Sequence, residues 1–140
     1  QALHLQGFFM FVNKYGLEIK AVKKLAVVIT TPPYSNLSVT ALDYIETALK
    51  ADVELVGVFF YQDGAMHANT NIQIASDEFQ AMSHWQRLHQ AYKLPLHLCI
   101  TAAEKRGMSE EAKNIHSIFT VSGLGELVEL SSIADRMVQF

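Results

Sequence analysis

A chain of 140 residues, half of them hydrophobic, is long enough for one domain with a core that needs no covalent staples. A net charge of −3, with Lys20, Lys23 and Lys24 as the one basic cluster, argues against a nucleic-acid-binding surface, which needs a clustered cationic excess. One cysteine, Cys99, excludes an internal disulfide and suits a reducing, cytoplasmic setting, and no apolar run reaches the length of a membrane span.

Residues 1–24 differ from the rest of the chain. They carry an isolated apolar patch, Phe8 to Phe11, and no clean period. The run Gly7 to Val12 is too short for a signal core and lacks a preceding basic residue and a small-residue cleavage pattern. This stretch reads as an N-terminal extension, either a cloning remnant or an arm packed on a neighbouring subunit, and residues 25–140 as a single α/β domain.

Leu25 to Thr31 is β-branched and apolar on both faces, as an interior parallel strand requires, and Pro32 and Pro33 stop it. Val39, Leu42, Ile45, Ala48 and Leu49 then recur at helical spacing, and Val53 to Phe60 forms a second buried strand. These make one βαβ unit with a right-handed crossover. Tyr61 to Ala75 reads as a long polar loop on the carboxyl edge of the sheet, a length usually reserved for function. Ser76 is expected to cap a helix with Asp77 and Glu78 in its first turn and Phe79, Met82, Trp85, Leu88 and Tyr92 along one side.

After Pro95, Leu96, Leu98 and Ile100 mark a short strand, and Thr101 to Arg106 a helical turn closed by Gly107. Cys99 thus falls where a strand gives way to a helix, at the sheet edge where reacting groups gather. There the helix N-terminus would favour the thiolate. Against this stands the ordinary role of a free cysteine as a small buried hydrophobe. Ser109 to Lys113 reads as a short acidic helical piece, Phe119 to Ser122 leads into a helix over 123–134, and Asp135 to Phe140 is a last strand. The alternation specifies a three-layer α/β fold with a mostly parallel sheet of four or so strands flanked by helices, in a flavodoxin-like arrangement.

Six histidines show no metal-ligand spacing and no second cysteine supports them, so no metal is expected. His84 and His89 point to different faces of their helix. His97, two residues before Cys99, shares its strand face and could raise the thiolate fraction when protonated, though a structural histidine is the favoured reading. The loop TTPPYSN after the first strand has the hydroxyls of a phosphate site, but its prolines remove N–H donors. Gly123 and Gly125 supply only two glycines of a dinucleotide fingerprint, so no cofactor is expected.

Several of these pieces together resemble the TusD/DsrE family of small sulfurtransferases. They are Thr30, Pro32 and Tyr34 after the first strand, VFFYQDGAMHAN (Val58 to Asn69), ASDEF with W-Q-x-L (Ala75 to Phe79, Trp85 to Leu88), LCITAAEKRG, and FTVSGLGEL with a terminal DRMVQF. The matches run in order from about residue 25 to the carboxyl terminus. They do not extend to residues 1–24, nor to His97.

The resemblance implies a DsrE-like fold in which Cys99 is the active cysteine, accepting sulfane sulfur as a persulfide and handing it on. It also implies TusB-like and TusC-like subunits in a hetero-oligomer, a TusA-like donor and a TusE-like acceptor, on the way to 2-thiouridine in tRNA. DsrE-type relatives act instead in sulfur oxidation. Such a relay needs one exposed thiol of lowered pKa and no cofactor or metal. Tyr34, Tyr61 and the Asp63 to Asn69 segment are expected to line the crevice through which a partner's cysteine reaches the sulfur. The competing readings are a non-catalytic scaffold subunit, in which Cys99 is inert, and a flavodoxin-like nucleotide-binding module.

Overall fold

The computed structural model describes residues 2–5, 8–12 and 18–140, with side chains from Val22 onward. Ahead of the α/β domain, β1 (Ala2–Leu5), β2 (Phe8–Val12) and β3 (Glu18–Val22) pair antiparallel in a separate three-stranded sheet. The side chains of the Phe8 to Phe11 patch lie outside the described residues.

The domain itself has five strands, one more than the sequence suggested. They are β4 (Lys24–Ile29), β5 (Glu54–Phe60), β6 (Leu96–Cys99), β7 (Thr120–Ser122) and β8 (Arg136–Gln139), in the order β7-β6-β5-β4-β8 and all parallel. The chain steps in one direction from β4 to β7, then returns across the whole sheet to place β8 on the far side of β4. Right-handed crossovers therefore put α1 (Asn36–Lys50) and α2 (Ala81–Tyr92) on one face and α4 (Leu124–Ile133) on the other. The short α3 (Ile100–Glu104) lies between β6 and β7.

Each helix follows from local chemistry. Ser35 caps α1 by accepting from the Leu37 N–H at 3.2 Å, and the buried stripe runs Ser38, Ala41, Leu42, Ile45, Ala48. That stripe passes over Ser38 and leaves Val39 exposed, because the Ser38 hydroxyl donates to the Pro32 carbonyl at 2.9 Å and is buried without loss. The expected start of α2 at Ser76 is corrected to Ala81. Residues 76–80 form turns, in which Glu78 N–H donates to Ala75 and the Gln80 amide folds back onto the carbonyl of Ala75 at 2.8 Å. The inner stripe of α2 is Ala81, Trp85 and Leu88, and Tyr92 is exposed. Residues 109–113 form turns rather than a helix, held by Ser109 Oγ accepting from the Ala112 N–H.

The polar loop expected over 61–75 is also corrected in its first half. Gln62–Ala68 winds as a 3-10 helix with Gly64, Ala65, His67 and Ala68 buried. Gly64 lies against β4 so closely that a Cβ there would overlap the carbonyl of Ile29. At the carboxyl ends of β4 and β8, Thr30 N–H and its hydroxyl both donate to the Phe140 carbonyl, at 2.7 and 3.0 Å. At the other end of these strands Asp135 accepts from the N–H groups of Lys23 and Lys24 at 2.9 Å. No helix among the described residues is long and apolar enough to cross a membrane.

Candidate active site around Cys99

Alternation along β6 turns Leu96 and Leu98 toward α2 and His97 and Cys99 toward α4. Cys99 is the last residue of the strand and, in extended conformation, the N-cap of α3. As expected from sequence it marks the strand-to-helix junction, but two parts of that expectation are corrected. The thiol is not exposed: Cys99 has 0 % accessible surface. The 3-10 segment packs on both α3 and β6. Nor does the sulfur cap the helix, since it makes no hydrogen bond to the N–H groups of the five-residue α3. Its polar partner is the Thr101 hydroxyl, with Sγ and Oγ1 3.3 Å apart.

An ion pair ties the 3-10 segment to the chain just beyond α3. Arg106, just beyond α3, directs Nε and Nη2 to Asp63 Oδ1 at 3.0 and 2.7 Å and Nη1 to the Ala102 carbonyl at 2.9 Å. Asp63 therefore reaches the cysteine's neighbourhood through α3. Tyr61, half-buried at the end of β5, lies on the α4 face with Phe59, their rings 6.3 Å apart.

The other two residues expected at the crevice stand apart from it. Tyr34, 63 % exposed, lines a groove of about 370 Å³ with Pro33, Glu78 and Phe79. Asn69 lines a cavity of about 160 Å³ with His67, Gln80 and His116, and its Oδ1 accepts from the Asn71 N–H at 2.8 Å. Cys99 lines neither.

His97 shares the strand face of Cys99, but its Nε2 lies 3.3 Å from Glu126 Oε1 on α4. Gly57 makes room for this ring: a Cβ there would meet Leu130 Cδ2 at 3.0 Å and His97 Cδ2 at 3.2 Å. Ser122, in register beside Cys99 on β7, has its Oγ buried without a partner among the described residues, as is the His97 Nδ1.

Sequence reasoning missed Thr101 and Ser122, and took in His67 only as part of the Asp63 to Asn69 segment. Thr101 could have been found from the i, i+2 offset across a strand-to-helix junction, whereas Ser122 needs the β6–β7 register. His67 ties the 3-10 segment to α2 and to the chain just after β4. Its Nδ1 accepts the Trp85 indole N–H at 3.0 Å, so Nε2 carries the proton and donates to the Thr31 carbonyl at 3.0 Å. Burial pushes this imidazole down from 6.5 to about 4, against the opposing pull of the Thr31 carbonyl.

This fold and sequence have known counterparts. The profile of the DsrE/DsrF-like family matches residues 23–140. A protein of Klebsiella pneumoniae named sulfurtransferase TusD is 37% identical over 127 residues, covering 84% of this chain and 99% of its own. A TusD homolog of Pasteurella multocida is 40% identical over 105 residues, 70% of this chain and 83% of its own. Among solved structures, the ychN protein from E. coli superposes with a TM-score of 0.71 at 20% identity, covering 85% of this chain and 99% of that one. MTH1491 from Methanobacterium thermoautotrophicum does so with a TM-score of 0.61 at 16% identity, over 84% and 98%. The two structures share the fold, the two sequences share most of their length as well, and the chain belongs to the DsrE/DsrF-like family, on the side of its TusD sulfurtransferases.

Proposed function

We propose that the protein is a sulfur-relay subunit in which Cys99 receives sulfane sulfur as a persulfide and passes it to a partner protein. The observation that carries this reading is the position of the chain's only cysteine, at the carboxyl end of β6 in a fold whose TusD relatives are named sulfurtransferases. Loading is a thiol exchange: the Cys99 thiolate attacks the outer sulfur of a donor persulfide, the new S–S bond forms as the donor's breaks, and the donor leaves as a thiol. Hand-off is the same exchange in reverse. A TusA-like donor, a TusE-like acceptor and TusB-like and TusC-like subunits are the partners we assign, with 2-thiouridine in tRNA as the destination and the cytoplasm as the setting. Outward apolar residues of α4 and β8, Leu124, Val128, Ile133 and Met137, support association with such subunits.

One observation favours a second reading. Full burial of Cys99 suits a scaffold subunit with an inert cysteine. Intact-protein mass after exposure to a persulfidated donor protein separates the two. Wild type should gain one sulfur and Cys99→Ser none, with fold and assembly unchanged, because a hydroxyl fills nearly the same space but holds no sulfane sulfur. A wild type that stays unmodified, or a Cys99→Ser variant that supports full 2-thiolation in cells lacking the native gene, establishes the scaffold.

A further inference from the structure

We propose that the Thr101 hydroxyl is the hydrogen-bond donor that steadies the Cys99 sulfur both as attacking and as leaving thiolate. This deepens the relay reading and rests on it. Thr101 Oγ1 lies 3.3 Å from Sγ, and the neutral thiol leaves the direction of that bond open. Chemistry closes it. A thiolate has no proton, and the inner sulfur of a persulfide has none either, so in each reacting state only the hydroxyl can donate.

Thr101 is an exposed residue, whereas the cysteine it meets is fully buried. The α3 N–H groups do not take this role, since Cys99 makes no side-chain capping bond. Two ionisable pairs lie on the surrounding elements, His97 on β6 with Glu126 on α4, and Arg106 beyond α3 with Asp63 of the 3-10 segment. Tyr61 ends β5 on the same face, its ring against Phe59.

In hand-off, the acceptor's nucleophile bonds to the outer sulfur, the Cys99 S–S bond breaks, and its electron pair stays on Sγ as a thiolate. No oxidant or reductant is consumed. A donor aimed at Sγ is worth most at the moment that charge appears, as is any preorganised group facing developing charge.

The test uses Thr101→Val, which keeps the branched shape without the hydroxyl, and Thr101→Ser, which keeps the hydroxyl. With a single cysteine in the chain, the ultraviolet absorbance of its thiolate, less that of Cys99→Ala, follows its ionisation alone. Thr101→Val should raise the midpoint by about one pH unit, and Thr101→Ser should restore it. Hand-off is read with defined small molecules: glutathione persulfide loads the protein and cyanide takes the outer sulfur as thiocyanate, leaving the Cys99 thiolate. Thr101→Val should slow thiocyanate release about ten-fold, with Thr101→Ser near wild type. Unchanged midpoint and release in Thr101→Val, or a Thr101→Ser as impaired as Thr101→Val, overturn the assignment. If wild type never gains sulfur the relay reading fails instead, and the ionisation midpoint still decides whether Thr101 donates to the sulfur.

Discussion

The α1–α2 face of the sheet and the α4 face are built on the same five strands but completed by different means. On the first, Phe60 meets Trp85 and Phe119 edge-on at 5.0 Å, His67 closes the ring cluster, and the two helices are joined by a two-pronged bond from Arg87 to Glu46 at 2.8 and 2.9 Å. On the second a single helix covers the strands, Leu130 is its one fully buried residue, and polar atoms of His97 and Ser122 have no partner among the described residues. Leu124 and Val128 stand 48 % and 66 % exposed on that helix. The candidate reactive sulfur points to the sparsely covered face. The packed ring cluster and the candidate reactive sulfur are thus on opposite faces of one sheet.

Removing Trp85 should upset this contrast most severely. Trp85→Ala empties the centre of the ring cluster and strips His67 Nδ1 of its donor, and the expected cost is about 4 kcal/mol in denaturant melts. A loss under about 1 kcal/mol would show that this face does not hold the domain together.

Acid should act on the same face next. His67 has its pKa depressed by burial from 6.5 to about 4, so the unfolded chain binds the extra proton between those values and the folded chain does not. Stability from this group is present in full above pH 6.5, falls as pH drops, and is gone once pH passes below about 4. The total is about 3 kcal/mol. Urea midpoints measured across that window, for wild type and for a neutral replacement such as His67→Gln, should show the slope in the former alone.

Legibility from the sequence divides along the same line. The strands and helices of the α1–α2 face could be read because their periods agree with their burial: Leu25 to Ile29, Val58 to Phe60, and Trp85 with Leu88 are apolar where they are covered. Tertiary contacts overrode local pattern elsewhere. Gly64, Ala65 and Ala68 look like loop residues, and only their closeness to β4 and α3 makes them buried. Cys99 was found from its junction, but its full burial and its contact with the Thr101 hydroxyl are tertiary facts that no period in the sequence marks. Tyr34 and Asn69 were grouped with it because all three follow strands. The sheet places Tyr34 after β4, two strands from β6, and turns Asn69 into the cavity beside His67.

The α4 face should show a smaller effect and a split one. Leu130→Ala removes the residue that packs against Gly57 beneath the helix and should cost about 2–3 kcal/mol, the low end for a core leucine because α4 has little else to lose.

Val128→Ser, two residues away on the outer side, should change the stability of the isolated chain by no more than about 0.5 kcal/mol, since that side chain is two-thirds exposed already. Its consequence lies outside the chain. If partner subunits cover α4, light scattering of the reconstituted assembly should show that Val128→Ser weakens association while Val39→Ser, an exposed apolar residue on α1, does not. Equal effects from the two would mean that exposure alone governs association and that the faces differ only in packing. Loss at Val128 alone would mean that the face bearing the sulfur is the one completed by another protein.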